Sequence, residues 1–191
     1  MRRTKEEAAE TKAQIIACAA KLFRENGIAQ TSVADVMKAA GLTHGGFYRH
    51  FGSKDELAVA AMDHAFGGTV QDVGSVFAQH EVAAERIRAF EDYYLSARHV
   101  ANKAGGCPAA ALAGEVSCAN DQTRNVFSKG VNAMVAQLEE NLDGDSLSKR
   151  QAALRSFATQ LGAVVLARST TADLADEILE ACRTTDLVGE N

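Results

Sequence analysis

Apolar residues recur at steps of three and four along almost the whole chain, and the polar residues between them fall on the other side of a helix. Ile15, Ile16, Cys18, Ala19, Leu22 and Phe23 make the first such stripe, which predicts a helix over residues 5–26 that Gly27 ends. Val33, Val36 and Met37 give a short second helix its apolar face, and Phe47 and Phe51 do so for a third over residues 44–50. Leu57, Ala60, Ala61, His64, Ala65 and Phe66 line a longer helix over 53–79. Gly67 and Gly68 fall inside it; such a pair either interrupts a helix or gives room to a neighbour. Ile87, Phe90, Tyr94 and Ala97 or Arg98 predict a helix over 82–101, and Pro108 suits the first position of a short one over 108–116. Three more follow, over 120–142, 147–168 and 172–184, with 186–191 as a frayed tail. Alanine is abundant and β-branched runs are short, so the nine helices define an all-α chain, with an N-terminal three-helix head and a six-helix body.

The stretch 30–57, QTSVADVMKAAGLTHGGFYRHFGSKDEL, carries the most chemistry. Ser32 and Asp35 form a capping pair, Gly41 supplies a left-handed helix end, and Leu42 buries the turn. Thr43 caps the next helix, and Ser53 with Glu56 caps the one after it. Two short helices crossing at a glycine turn make a helix-turn-helix, whose second helix enters the DNA major groove N-terminal end first. Its outward side offers Thr43, His44, Gly45, Gly46, Tyr48, Arg49 and His50. The two glycines are poor helix formers, so close backbone approach accounts for them better than stability does. Thr31, Ser32, Tyr48, His50 and Lys54 surround the tip and are able to bond phosphate oxygens. Arg2 and Arg3 lie in an arm that either reaches a minor groove or stays solvated.

This segment resembles the DNA-binding part of the tetracycline-repressor (TetR) family of bacterial transcriptional regulators. The match rests on Ala40, Gly41, Leu42, Thr43, Gly45, Phe47, Tyr48, His50, Phe51, Ser53, Lys54, Asp55 and Leu57. Val36 stands where the family has isoleucine, and Gly46 replaces a better helix former. The resemblance implies a helix-turn-helix domain over 1–52 and an effector-binding and dimerisation domain over 53–191. It also implies a homodimer joined through the last two long helices, a pseudo-palindromic double-stranded DNA operator and a small-molecule effector.

The net charge of −5 over 191 residues is low for a DNA binder until the chain is divided. Residues 1–55 hold nine Lys and Arg against six Asp and Glu, so the excess acid lies in the rest. A small basic head on an acidic body fits local, oriented binding, and excludes a protein that coats nucleic acid over its whole surface. Apolar content of 47% is enough for a core, yet no run of about 18 apolar residues exists to span a bilayer. The first residues lack the apolar centre of a signal peptide. A cytoplasmic protein with its four cysteines reduced is expected.

In the body, Phe157, Leu161, Val164, Val165 and Leu166 make one wall of the penultimate helix, and Leu174, Ile178, Leu179 and Cys182 one face of the last. Both are too apolar for a solvated surface, which independently predicts a homodimer; Phe157, Leu161, Val165, Leu174, Ile178 and Cys182 are its expected contacts. Phe66, Phe90, Tyr94, Phe127 and Met134 either line an effector pocket or fill a core, and His64 adds a polar contact. Cys107 precedes Pro108 at a helix N-terminus, where the dipole and free N–H groups favour a thiolate. The alternative is a small packed residue beside a turn. Cys118, eleven residues on, is a candidate resolving thiol. Gly106, Cys107, Leu112, Glu115 and Val116 also resemble a stretch of the TetR-family branch that includes electrophile-responsive regulators.

There is no glycine-rich phosphate loop, nucleophile elbow or His-Glu-x-x-His motif, so an enzyme is not expected. No cysteine or histidine pair has zinc spacing, and neither metal nor cofactor is expected. The expected function is a ligand- or electrophile-responsive DNA-binding regulator, most simply a repressor released by its effector. Its alternatives are a repressor answering a reversible apolar ligand, and a helical binding protein without a DNA function.

Overall fold

The computed structural model describes residues 5–183. All of the regular structure in that span is helical. Helix α1, Lys5–Asn26, opens with Glu6 and Glu7 at its positive end and stops at Gly27, whose φ of 89° is the left-handed conformation glycine adopts freely. Helix α2 is Val33–Ala39, and a 3₁₀ helix, His44–Arg49, follows. Then come α3 (Lys54–Phe77), α4 (Ala83–Tyr94), α5 (Ala97–Ala101), α6 (Pro108–Val116), α7 (Asp121–Glu139), α8 (Ser146–Ala167) and α9 (Ala172–Ala181).

Three expectations need correction. The helix expected over 82–101 is two helices, because Ser96 accepts the backbone N–H of His99 on its hydroxyl and starts a new one. The segment at 44–50 is 3₁₀ rather than α, as suits six residues with two adjacent glycines. Gly67 and Gly68 neither interrupt α3 nor make room for a neighbour, since a Cβ on either would meet nothing within 4 Å. The arm bearing Arg2 and Arg3 and the tail at 186–191 lie outside the described residues.

The chain forms two compact units. The first comprises Met1–Gly68 and Cys107–Gly130. Its core is Ile15, Ala19 and Phe23 of α1, Val36 and Met37 of α2, Phe47 and Phe51, and Leu57, Ala58 and Ala61 of α3. Ile16, Cys18 and Leu22 are half-buried against it. The second unit comprises Thr69–Gly106 and Val131–Asn191. A run of rings crosses its core, with centroids 5.9 Å apart for Phe77 and Phe90, 5.3 Å for Phe90 and Tyr94, and 6.1 Å for Tyr94 and Phe157.

Candidate nucleic-acid interface

Helix α2 is framed at both ends. Ser32 accepts the Asp35 backbone N–H on its hydroxyl at 3.1 Å, while the Asp35 carboxylate accepts the Ser32 backbone N–H at 3.0 Å, a complete capping box. The Ser32 hydroxyl donates to the same carboxylate, and these two bonds hold the Asp35 carboxyl below its ordinary range. At the other end, Gly41 with φ 69° lets its own N–H reach the Lys38 carbonyl at 3.0 Å and the Leu42 N–H reach Met37 at 2.8 Å. That is a Schellman ending, and it fixes the angle at which the 3₁₀ helix leaves.

The 3₁₀ helix hangs on Phe47, only 1% exposed, whose ring stacks on Phe51 with centroids 5.6 Å apart. With Phe47 anchored, Thr43, His44, Gly45, Tyr48 and Arg49 face solvent, and Tyr48 is 68% exposed although it is a large ring. His50 is half-buried. Gly45 and Gly46 have no internal reason to be glycine. Neither has positive φ; a Cβ on Gly45 meets nothing, and one on Gly46 makes ordinary contact with Met37 at 3.6 Å. Arg49 makes no ion pair among the described residues.

Several sequence expectations change here. Thr31 is buried and its hydroxyl donates to the Gly27 carbonyl at 2.8 Å, so it closes a turn instead of facing a phosphate. Thr43 occupies the cap position with extended backbone, but its side chain makes no cap bond. Ser53 does accept the Glu56 N–H at 3.1 Å, whereas the Glu56 carboxylate reaches back to Gly52 at 2.7 Å. Lys54 is half-buried, its ammonium 3.4 Å from the Ala29 carbonyl.

The effector candidates separate. Phe66 and Phe127 meet edge-on in the first unit with centroids 5.6 Å apart, while Phe90, Tyr94 and Met134 are fully buried in the second. His64 is exposed and leaves the set. A cleft of about 280 Å³ in the first unit has Lys54, Asp55, Glu115 and Asn120 on its walls, and one of about 320 Å³ in the second has Asp72, Tyr93, Arg98 and His99. Neither is lined by any of the six proposed pocket residues. Gln160, 1% exposed, donates from its Nε2 to Ser156 at 3.1 Å and leaves its Oε1 without a hydrogen-bond partner among the described residues.

Cys107 takes the cap position of α6 and is 1% exposed, so burial opposes the thiolate that the helix end favours. Cys118 is exposed at the other end of α6. Eleven residues at about 1.5 Å each put the two roughly 16 Å apart. A disulfide needs Cα atoms within about 7 Å, so Cys118 cannot resolve Cys107 in the same chain while α6 is folded. Phe157 belongs to the core beside Tyr94 and not to an exposed face; Leu161, Ile178 and Cys182 are half-buried, and Val165 and Leu174 are exposed.

One long-range contact of the head escaped the sequence. Glu115 in the last turn of α6 accepts the backbone N–H groups of Ile28 and Ala29 at 3.1 and 2.8 Å. The available signal was an acidic side chain at the wrong end of its helix dipole.

A three-helix head built on a capped α2, a Schellman turn and an exposed polar tip defines a helix-turn-helix protein. The family model of bacterial regulatory proteins, tetR family, matches residues 15–61. A TetR transcriptional regulator from Chloroflexus aurantiacus superposes with a TM-score of 0.77 at 30% identity, covering 93% of this chain and 94% of that one. The transcriptional regulator TtgR of Pseudomonas putida is 51% identical over 63 residues, 33% of this chain and 30% of TtgR. This chain therefore aligns with under a third of that curated relative's length. The repressor NemR of Escherichia coli is 23% identical over 135 residues, and the structure of its reduced form superposes with a TM-score of 0.77 over 94% of this chain. The chain belongs to the TetR family of bacterial regulatory proteins.

No helix among the described residues is long and apolar enough to cross a membrane.

Proposed function

We propose that this protein is a homodimeric transcriptional repressor that reads a pseudo-palindromic DNA operator with the 3₁₀ helix and is released from it by an effector. The observation that carries the reading is the pair Gly45 and Gly46: the fold has room for a Cβ at both, so a close external surface is what its absence serves. Residues 1–52 act as the DNA-binding domain and 53–191 as the effector and dimerisation domain. Thr43, His44 and Arg49 meet base edges, while Ser32, Tyr48, His50 and Lys54 meet phosphates.

The dimer reading draws on the solvent-facing side of α8 and α9. Leu154, Ala158, Leu161 and Val165 follow one another at helical steps, and Leu154, Val165, Leu166 and Leu174 are exposed large apolar side chains.

For the effector, attack of the Cys107 sulfur, as thiolate, on a small electrophile fits a thiol at the start of the helix whose other end holds the head. A reversible ligand is the second reading, favoured by the sealed Cys107 and by the unpartnered Gln160 oxygen in the second unit.

A gel shift on the DNA upstream of the protein's own gene tests the main claim, with sequence-specific retardation expected. Adding a quinone or hypochlorite then separates the effector readings. Under the covalent one these release wild type but not Cys107→Ser; equal release of both leaves the reversible reading.

A further inference from the structure

We infer that Glu115 is a positioning residue for DNA binding, a latch whose carboxylate holds the turn leading into α2 and so ties operator affinity to the placement of α6. This rests on the operator-binding reading above but not on any chemistry at Cys107. Glu115 sits where a carboxylate opposes its own helix dipole, and it forms no ion pair among the described residues. It spends both oxygens on main chain instead: Oε1 accepts the Ile28 N–H and Oε2 the Ala29 N–H. Each is a charge-assisted bond to a donor that no helix satisfies, and the two together fix position and direction.

The surroundings are built for this contact. Gly27 has positive φ, which glycine adopts without strain, and a Cβ there would push the Glu115 carboxylate off the turn. Thr31 braces the same turn through the Gly27 carbonyl, and Lys54 does so through the Ala29 carbonyl. The next residue, Ser32, is the cap of α2. A continuous path therefore runs from the end of α6 through Glu115, residues 28 and 29 and the capping box to the helix that seats the 3₁₀ tip. A contact stretched to about 3.6 Å is no longer a hydrogen bond, so a displacement of α6 by about 1 Å that the side chain does not follow opens the latch. Glu115 also lies on the wall of the 280 Å³ cleft, which gives its side chain room to swing away while α6 stays folded.

The test uses full-length Glu115→Ala and Glu115→Gln, with operator affinity measured by fluorescence anisotropy across a salt series and backbone amides followed by ¹H–¹⁵N NMR. Glu115→Ala should lose roughly 5- to 150-fold in operator affinity, the usual range of coupling between sites. Its slope of log K against log salt should stay that of wild type, because no phosphate contact is removed. The Ile28 and Ala29 amide protons should move upfield, and Glu115→Gln, which keeps one acceptor, should recover part of both losses. Should Glu115→Ala fail to fold, Glu115→Gln and the wild-type amide shifts carry the comparison. Wild-type affinity in a folded Glu115→Ala, or a flattened salt slope, overturns the latch. A wild-type protein that binds no operator overturns the DNA-binding reading itself, while downfield Ile28 and Ala29 amides would still report the carboxylate contact.

Discussion

Gly130 of α7 lies against the ring of Phe66 of α3 so closely that a Cβ on the glycine would overlap the ring carbons. Phe66 is buried and meets Phe127 edge-on, so the ring has no room to retreat. Gly130→Ala should therefore destabilise the protein by about 1–3 kcal/mol, the usual cost of overpacking, although alanine is the better helix former. Gly67→Ala, in open space on α3, should stabilise by about 0.5–1 kcal/mol. Urea unfolding of the two variants should shift in opposite directions; parallel shifts would contradict the packing described.

Acid should loosen the head through Asp35. Its carboxyl is held below the ordinary 3.8 by the Ser32 hydroxyl and backbone. The stabilisation is thus fully present above that value and is lost as pH falls through the lower folded one. Ser32→Ala removes the largest cause, so it should lower the unfolding midpoint at neutral pH and reduce the acid sensitivity below the ordinary 3.8.

A second pH effect belongs to His99. Burial is the main force holding its imidazole below the ordinary 6.5; Arg168 adds to this, and the Tyr94 carbonyl opposes it. The carbonyl 2.6 Å away can only accept, so Nδ1 carries the proton. Below 6.5 the unfolded chain binds a proton that the folded chain refuses, so stability falls as pH drops toward the folded value and is fully present above 6.5. Thermal melts from pH 7.5 to 5.5 should decline in wild type and flatten in His99→Gln.

The dimer seam proposed on α8 and α9 gives a sharper outcome. Leu161→Glu or Ile178→Glu places an unpaired charge among the exposed apolar side chains of these helices. Sedimentation should show monomers where wild type gives dimers. Two well-folded dimers would move the interface elsewhere.

Most of the head was legible in the sequence because its signals are local. Ser32 and Asp35 sit three apart, Gly41 ends a helix, and Phe47 and Phe51 share one side. What stayed hidden depends on partners far along the chain. Nothing near Thr31 says that its hydroxyl will turn inward to Gly27, and Glu115 meets Ile28 across 87 residues. Helical periodicity placed His64 inward by one step, where the wheel alone cannot separate an edge from a face. Ser96 carried a readable start signal inside the helix expected over 82–101, but the apolar period ran through it unbroken.

The salt dependence of operator binding tests the central claim most directly. Wild type, Tyr48→Ala and Lys54→Ala are titrated onto a labelled operator and onto a scrambled duplex from about 50 to 200 mM salt. Each lost phosphate contact should reduce the slope of log K against log salt by about 0.9, on both duplexes alike. His44→Ala should instead narrow the preference for operator over scrambled DNA. Wild-type slopes and affinities in all three variants would contradict an interface built on the exposed 3₁₀ tip.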